Sequence, residues 1–162
     1  MELMRTSDAG IALIKKYEGC KLTAYKPVPT EKYYTIGFGH FSKDIQKGQT
    51  ITQVQADEFL VQDLRTFEKV INDLKINFKQ RQFDALVSWI FNLGAGNFAV
   101  STFKKKITNL NADEAITDEL VKWVNAGGKP LLGLKRRRVE EANMWLGKER
   151  YKVDSKGNII KQ

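Results

Sequence analysis

Glu18 ends an apolar-faced stretch and is followed at once by Gly19; the run Tyr34-Thr35-Ile36-Gly37-Phe38-Gly39-His40 comes soon after. A carboxyl, a hydroxyl and the only histidine of the chain therefore lie close together in sequence. This set suits acid catalysis on a glycosidic bond. A carboxylic acid can donate a proton to the leaving oxygen when burial raises its pKa toward working pH. A second group opposite must then attack or stabilise the sugar cation. Position alone does not assign the role, because a Glu at a helix end is commonly a solvated group.

The elements that would hold these groups can be read in order. Ser7 is a candidate N-cap, and the helix after it runs to Tyr17 or Glu18, with Gly19 as its C′ stop. Ile11 and Ile14 share one face, and Glu18, four residues after Ile14, falls at the margin of that face. Lys26-Pro27-Val28-Pro29 rules out a regular helix, and the aromatic, β-branched and Gly-interleaved run from Tyr33 to Phe41 reads as short strands. Thr52-Gln53-Val54-Gln55 is a capping-box pattern, followed by Ala56, Leu60, Leu64 and Phe67 at helical spacing. A helix from Asn77 carries apolar residues on nearly all faces between Phe83 and Leu93, and Gly94-Ala95-Gly96 is expected to end it. Ser101 caps a short segment with Lys104, Lys105 and Lys106. A helix from Asn111 to about Asn125 is closed by Gly127-Gly128, and a last helix covers roughly 134–146 before Gly147. The tail, 148–162, holds a candidate hairpin around Asp154–Gly157.

These elements imply one α+β domain over 1–162. A small N-terminal β lobe would span about 21–50. A larger helical lobe would span about 51–147 and include the N-terminal helix, with a cleft between the lobes as the natural ligand site.

Composition narrows the partners. The formal charge is +8, and residues 133–162 hold nine Lys or Arg against four Asp or Glu. Such a chain is drawn to polyanions: nucleic acid, anionic lipid or acidic wall polymers. Helix-turn-helix, zinc and RNA-binding signatures are all missing, so a nucleic-acid partner is not expected. Cys20 is the only cysteine, which excludes an internal disulfide, and one histidine cannot build a histidine-rich metal site; neither metal nor cofactor is expected. No stretch approaches membrane-spanning length and the first residues lack a signal core. Membrane insertion is therefore not expected, and neither is a separate wall-binding domain after Gly147.

Several motifs in the same order resemble phage-type (T4-like) lysozymes and endolysins, a family of glycoside hydrolases. They are Tyr17-Glu18-Gly19-Cys20-Lys21-Leu22-Thr23-Ala24-Tyr25 and the run from Tyr34 to His40. Further along come Gln82-Phe83-Asp84-Ala85-Leu86-Val87-Ser88, Phe91-Asn92-Leu93-Gly94, Lys122-Trp123 before Gly127-Gly128, and Gly133-Leu134 before Arg136-Arg137-Arg138 with Glu141. The resemblance covers about residues 7–147. It implies a lysozyme-like fold and cleavage of the β-1,4 bond between N-acetylmuramic acid and N-acetylglucosamine in peptidoglycan glycan strands. It also implies action as a monomer, and storage in the host cytoplasm until release to the wall.

The family's catalytic set is a Glu, an Asp and a Thr. Glu18 matches the proton donor and Thr35 the Thr. The Asp usually follows the Tyr of the Ala-Tyr pair by two residues, and Pro27 stands there, in a loop about two residues longer than the common pattern. Three explanations stay open. In one, Glu31 supplies the carboxylate from a shifted position, with Asp44 a weaker stand-in. In another, Glu18 and Thr35 suffice in a lytic transglycosylase, where the substrate's own hydroxyl attacks. Or the chain binds wall glycan without turning it over. Tyr25, Tyr34, Phe38, His40, Asn92 and Arg137 are the candidate substrate contacts. His40 has a structural alternative, fixing the end of a strand. The cluster Arg136–Arg138 reads most simply as a solvated face, with one member free to turn inward toward Glu18 or other acidic groups.

Overall fold

The computed structural model describes residues 2–162. The chain divides into two compact units, one formed by Ala12–Thr66 and the other by the N-terminal residues through Ile11 with Phe67–Gln162. The architecture is α+β, with helices and small antiparallel sheets.

The first unit holds most of helix α1 (Asp8–Glu18), strands β1 (Lys21–Tyr25), β2 (Tyr34–Gly37) and β3 (His40–Ser42), and most of helix α2 (Gln53–Asn72). Helix α1 stops where the sequence says it should. Gly19 adopts φ +67°, a left-handed conformation that costs a residue without a Cβ little, and its N–H closes the last turn on Lys15 O at 3.1 Å. The three strands form one antiparallel sheet in the order β1-β2-β3. Tyr25 lies opposite Thr35, and Thr35 opposite Phe41. The outer edge of β1 is covered by residues 49–51: Ala24 N–H donates to Gln49 O at 2.8 Å and Ile51 N–H to Leu22 O at 2.9 Å. Helix α2 opens with the expected capping box. Gln55 N–H donates to Thr52 Oγ1 at 3.1 Å, and Thr52 N–H to Gln55 Oε1 at 2.9 Å. Leu13, Ile14, Ile36, Phe38, Ala56, Leu60 and Leu64 are buried in this unit.

The second unit is built on helix α3 (Gln80–Leu93), in which every residue from Phe83 to Ile90 is buried. Around it come α4 (Ala95–Ala99), α5 (Thr102–Thr108), α6 (Asp113–Leu120), the hairpin β4 (Asn125–Ala126) and β5 (Lys129–Pro130), α7 (Leu132–Leu146), and a last hairpin of β6 (Tyr151–Val153) and β7 (Ile159–Lys161). Trp89 lies at the centre of an aromatic cluster, with ring centroids 4.9 Å from Phe103, 5.3 Å from Trp123 and 6.0 Å from Phe98. Edge-on and tilted pairs of this kind add to their area burial because the ring edge is positive and the face negative.

Three boundaries differ from the sequence expectation. Helix α3 begins at Gln80 rather than Asn77, because Lys79 is extended and its N–H is taken by Gln82 Oε1 at 2.9 Å. Gly94-Ala95-Gly96 does not simply end a helix: Gly94, at φ +93°, turns the chain directly into α4. Helix α6 ends at Leu120 rather than near Asn125. Gly127 and Gly128, at φ +59° and +79°, form the two-residue turn of the β4–β5 hairpin, which takes the chain away from the helix. The Ser101 cap is as expected, accepting from Lys104 N–H at 3.0 Å, and so is the tail hairpin.

The tail hairpin is fastened to α6 by polar contacts. The Tyr151 hydroxyl, 2% exposed as a residue, donates to Asp118 Oδ1 at 2.6 Å, and Lys161 Nζ lies 2.9 Å from the same carboxylate. Burial works to raise the Asp118 pKa, but hydrogen bonds from Tyr151 and Lys161 outweigh it and hold the carboxyl below its usual range. A depressed folded pKa contributes stability that is complete above the unfolded value, near about 3.9, and is lost as pH falls through the folded one. Asp118→Asn should therefore lower thermal stability at pH 7. The gap from the parent should shrink as unfolding is followed from about pH 5 downward.

Gly10 is required by its surroundings. A Cβ there would sit 2.7 Å from Thr6 Cγ2 and 2.8 Å from Asp84 Cβ, and Asp84 itself is 2% exposed and accepts Ser7 N–H at 2.9 Å. Gly10→Ala should cost about 1–3 kcal/mol from overpacking, despite the better helix propensity of Ala. Gly96, helical and open to space within 4 Å, is the control. Gly96→Ala should be neutral or stabilise by about 0.5–1 kcal/mol in denaturant titrations.

Candidate active site

Glu18 is the last residue of α1 and is half-buried. The turn between β2 and β3 passes close by: a Cβ placed on Gly39 would stand 3.7 Å from Glu18 Oε1. Gly39 is exposed and has φ +81°, so a side chain there would be strained by its backbone, although a Cβ would meet the carboxylate only in ordinary contact.

Thr35 sits in the middle strand and is 6% exposed. Among the described residues its hydroxyl has no hydrogen-bond partner. The hydroxyl keeps access to solvent, so its hydrogen-bonding capacity is open to water or a ligand. Glu31 lies in the loop between β1 and β2. Its backbone N–H donates to Val28 O at 3.1 Å, its side chain is half-buried, and its carboxylate makes no ion pair or hydrogen bond among the described residues. Asp44 and Pro27 are exposed.

His40 is held on two sides. Its Nδ1 is 2.9 Å from Asp63 Oδ2, and its ring stacks on Phe59 with centroids 4.3 Å apart and planes 9° from parallel. Asp63 and Phe59 both belong to α2, so the histidine fastens the start of β3, next to Gly39, to that helix. Phe38 is 6% exposed, with Lys15 Nζ 5.2 Å from its ring centroid. Tyr25 and Tyr34 are half-buried, at the facing ends of β1 and β2. Sequence reading missed Asp63 and Phe59. Both sit on α2 with nothing in their local pattern to distinguish them from its other polar and apolar positions.

The second unit holds the remaining two candidates, Asn92 and Arg137, in a buried polar cluster. Glu141, fully buried, accepts on Oε2 from the Ser88 hydroxyl at 2.5 Å, Arg137 Nε at 3.3 Å and Arg138 Nη2 at 3.1 Å; its Oε1 lies 2.7 Å from Arg138 Nε as an ion pair without hydrogen-bond geometry. Arg138 also donates to Asn92 Oδ1 at 2.7 Å and Trp123 O at 3.4 Å, while Arg137 donates to Ser88 O at 3.1 Å. The solvated-face reading of Arg136–Arg138 is corrected accordingly: only Arg136 is exposed, and the other two are 2% and 0% exposed. Their positions on α7 face α3, where Ser88 and Asn92 supply the partners. Among the described residues no group of three or more His, Cys, Asp or Glu could hold a metal ion.

These features belong to a lysozyme-like fold, and comparison with known proteins assigns the family. The family model for phage lysozyme matches residues 15–141. The endolysin of Salmonella phage P22 is 38% identical over 145 residues, 86% of this chain and 97% of that protein. The endolysin of Bacillus phage B103 is 42% identical over 144 residues, 88% of this chain and 54% of that protein. The muramidase domain of SpmX from Asticaccaulis excentricus, a solved structure, is 31% identical with a TM-score of 0.79, over 88% of this chain and 97% of that one. The chain belongs to the phage lysozyme family. It spans about half the length of the Bacillus phage relative.

Neutralising Glu141 takes from the buried Arg137 and Arg138 a counter-charge that both share. Glu141→Gln should lower unfolding free energy by about 3–5 kcal/mol, measured by urea titration. An Arg136→Gln control should stay within about 0.5 kcal/mol of the parent, as expected for an exposed side chain.

Proposed function

We propose that the chain is a peptidoglycan hydrolase that cuts the N-acetylmuramic acid to N-acetylglucosamine β-1,4 bond, with Glu18 as general acid. The observation that carries this is local: Glu18, half-buried as a residue, brings Oε1 beside the exposed, side-chain-free Gly39, in the same unit as Thr35, whose hydroxyl has no hydrogen-bond partner among the described residues. Membership of the phage lysozyme family supports the bond and the substrate. In this mechanism Glu18 donates its proton to the glycosidic oxygen as the C–O bond breaks. Positive charge develops on the sugar ring, and a group on the opposite face must stabilise it or deliver water. Thr35 holds that water or the sugar face.

Glu31 is the proposed second carboxylate. It takes over the role that Pro27 cannot fill, and its longer side chain offsets the displaced backbone of the extended loop. Its half-burial without any partner favours this reading over a solvated loop charge, which would lie fully in water. Tyr25 and Tyr34 are proposed sugar contacts; Asn92 and Arg137, the other sequence candidates, are held in the buried polar cluster of the helical unit. His40 and Phe38 act chiefly as supports, given their packing on α2 and under Lys15. The enzyme works as a monomer, needs no cofactor, and is held back from the wall until host lysis. Among the described residues no helix is long and apolar enough to cross a membrane.

Release of reducing ends from purified cell walls tests the assignment. Glu18→Gln should lower the rate at least on the order of 10³-fold, and Glu31→Gln on the order of 10²-fold. Full activity in Glu18→Gln would remove the assignment. If Glu31→Gln stays active and mass spectrometry finds 1,6-anhydromuramic ends, the enzyme is instead a lytic transglycosylase.

A further inference from the structure

The strand unit carries an unusual density of lysines lying over aromatic rings. Lys21 Nζ is 5.9 Å from the Tyr25 ring centroid, Lys26 Nζ 4.9 Å from Tyr34, and Lys32 Nζ 5.3 Å from Tyr33. Lys15 over Phe38 at 5.2 Å and Lys16 over Tyr17 at 5.5 Å extend the series. Significant cation–π contacts occur only about once per 70–80 residues in proteins generally. Five within residues 15–38 therefore call for an explanation.

Three of these ammoniums share a further property. Lys15 is paired with Asp57 at 2.9 Å, but Lys21, Lys26 and Lys32 have no carboxylate partner among the described residues. The local sequence explains why: between Glu18 and Asp44 the chain has Lys21, Lys26, Lys32 and Lys43 but a single acid, Glu31. Tyr25 lies opposite Thr35, so Tyr25 and Tyr34 stand at the two ends of the loop 26–33, Tyr33 closes that loop, and each of the three rings holds an ammonium. A lysine held on a ring has lost part of its rotamer freedom, so an incoming anion has less ordering to impose. Its charge is not neutralised, because the ring supplies only a quadrupole.

We propose that Lys21, Lys26 and Lys32 form a docking stripe for a phosphodiester-linked polymer of the cell wall, bordering the proposed glycan contacts Tyr25 and Tyr34. Ammoniums are compact, strongly hydrated point charges that suit isolated phosphates. Three of them around one loop suit a repeating chain of phosphates, each adding a modest increment. Single-stranded nucleic acid would need open aromatic faces for base stacking, and here a lysine lies over each ring. The stripe rests on the wall-acting reading above for the identity of the polymer, but not for its affinity for phosphate.

Inorganic polyphosphate is the first probe, followed by calorimetry at low salt. The triple variant Lys21→Gln, Lys26→Gln, Lys32→Gln should bind at least about tenfold more weakly. Its log–log salt dependence should be shallower by roughly two to three units, as three released counterions require. The triple Arg variant should retain binding, and so should Lys104→Gln with Lys105→Gln, which removes two cations from α5. Retention on walls carrying phosphodiester polymers should fall in the Gln variant. It should match the parent on the same walls after hydrofluoric acid removes those polymers. Equal loss in the α5 variant would overturn the stripe in favour of general charge. Tighter binding to oligonucleotides or to anionic vesicles than to the wall polymer would overturn the choice of partner. Glu18→Gln should bind polyphosphate as the parent does, so a failure of the cleavage assignment and a failure of the stripe are read from different assays.

Discussion

The carboxylate of Glu141 is fully buried, yet it takes hydrogen bonds from a serine and two arginines. Moving a carboxylate and two guanidiniums out of water is unfavourable by several kcal/mol per ion unless each finds partners in good geometry. The helical unit meets most of that condition by aligning α3 and α7, although Arg138 Nε and Glu141 Oε1 are paired by charge alone. Ser88 must face Glu141, and Asn92, one turn further along α3, must meet Arg138. A slide of either helix by one residue would break these hydrogen bonds to buried charges. Apolar contacts between the same helices would tolerate such a slide far better, since dispersion is not directional. The aromatic cluster around Trp89 then packs against a register that polar geometry has already set.

The strand unit reaches definition by other means. Its sheet is small, and three strands of three to five residues bury little by themselves. Helix α2 supplies the missing surface, and His40 ties the sheet to it with a stacked ring and a hydrogen bond to Asp63 at once. Gly39 is adjacent to that anchor, so the turn beside Glu18 is fixed by a residue that need not touch substrate. The sequence Gly-Phe-Gly-His therefore combines two requirements: glycines where the backbone turns with positive φ, and a histidine that holds the turn in place.

Much of this was legible in the sequence, for reasons of locality. The end of α1 at Gly19, the capping box at Thr52 and the Ser101 cap each depend on residues within four positions of one another. The apolar run in α3 announced its own burial. What escaped was decided at a distance. Two glycines at 127 and 128 look the same whether they close a helix or turn a hairpin, and only pairing of Asn125 with Pro130 distinguishes these outcomes. Arg136, Arg137 and Arg138 are chemically alike. Their division into one exposed and two buried groups depends on Ser88 and Asn92, more than 40 residues earlier. The candidate site divides in the same way: Glu18, Thr35 and Gly39 were visible as a motif, whereas Asp63 and Phe59 carried no local mark.

Pro27 and Glu31 pose the sharpest chemical question. A proline at the family's aspartate position removes the carboxylate and also fixes φ, so the loop cannot present a side chain from that point in the usual way. Lengthening the loop moves the next acid four residues on. A Glu there starts from a different backbone position but has one more methylene of reach. Its carboxylate remains without a partner, although Lys26 and Lys32 lie on either side of it in sequence and both ammoniums are engaged over tyrosine rings. If those lysines were free to swing, Coulomb attraction would draw one onto Glu31 and neutralise it. The two ammoniums that flank Glu31 in sequence are thus the ones engaged by tyrosine rings, and on the proposed reading of Glu31 as the second carboxylate they are the neighbours that do not pair with it.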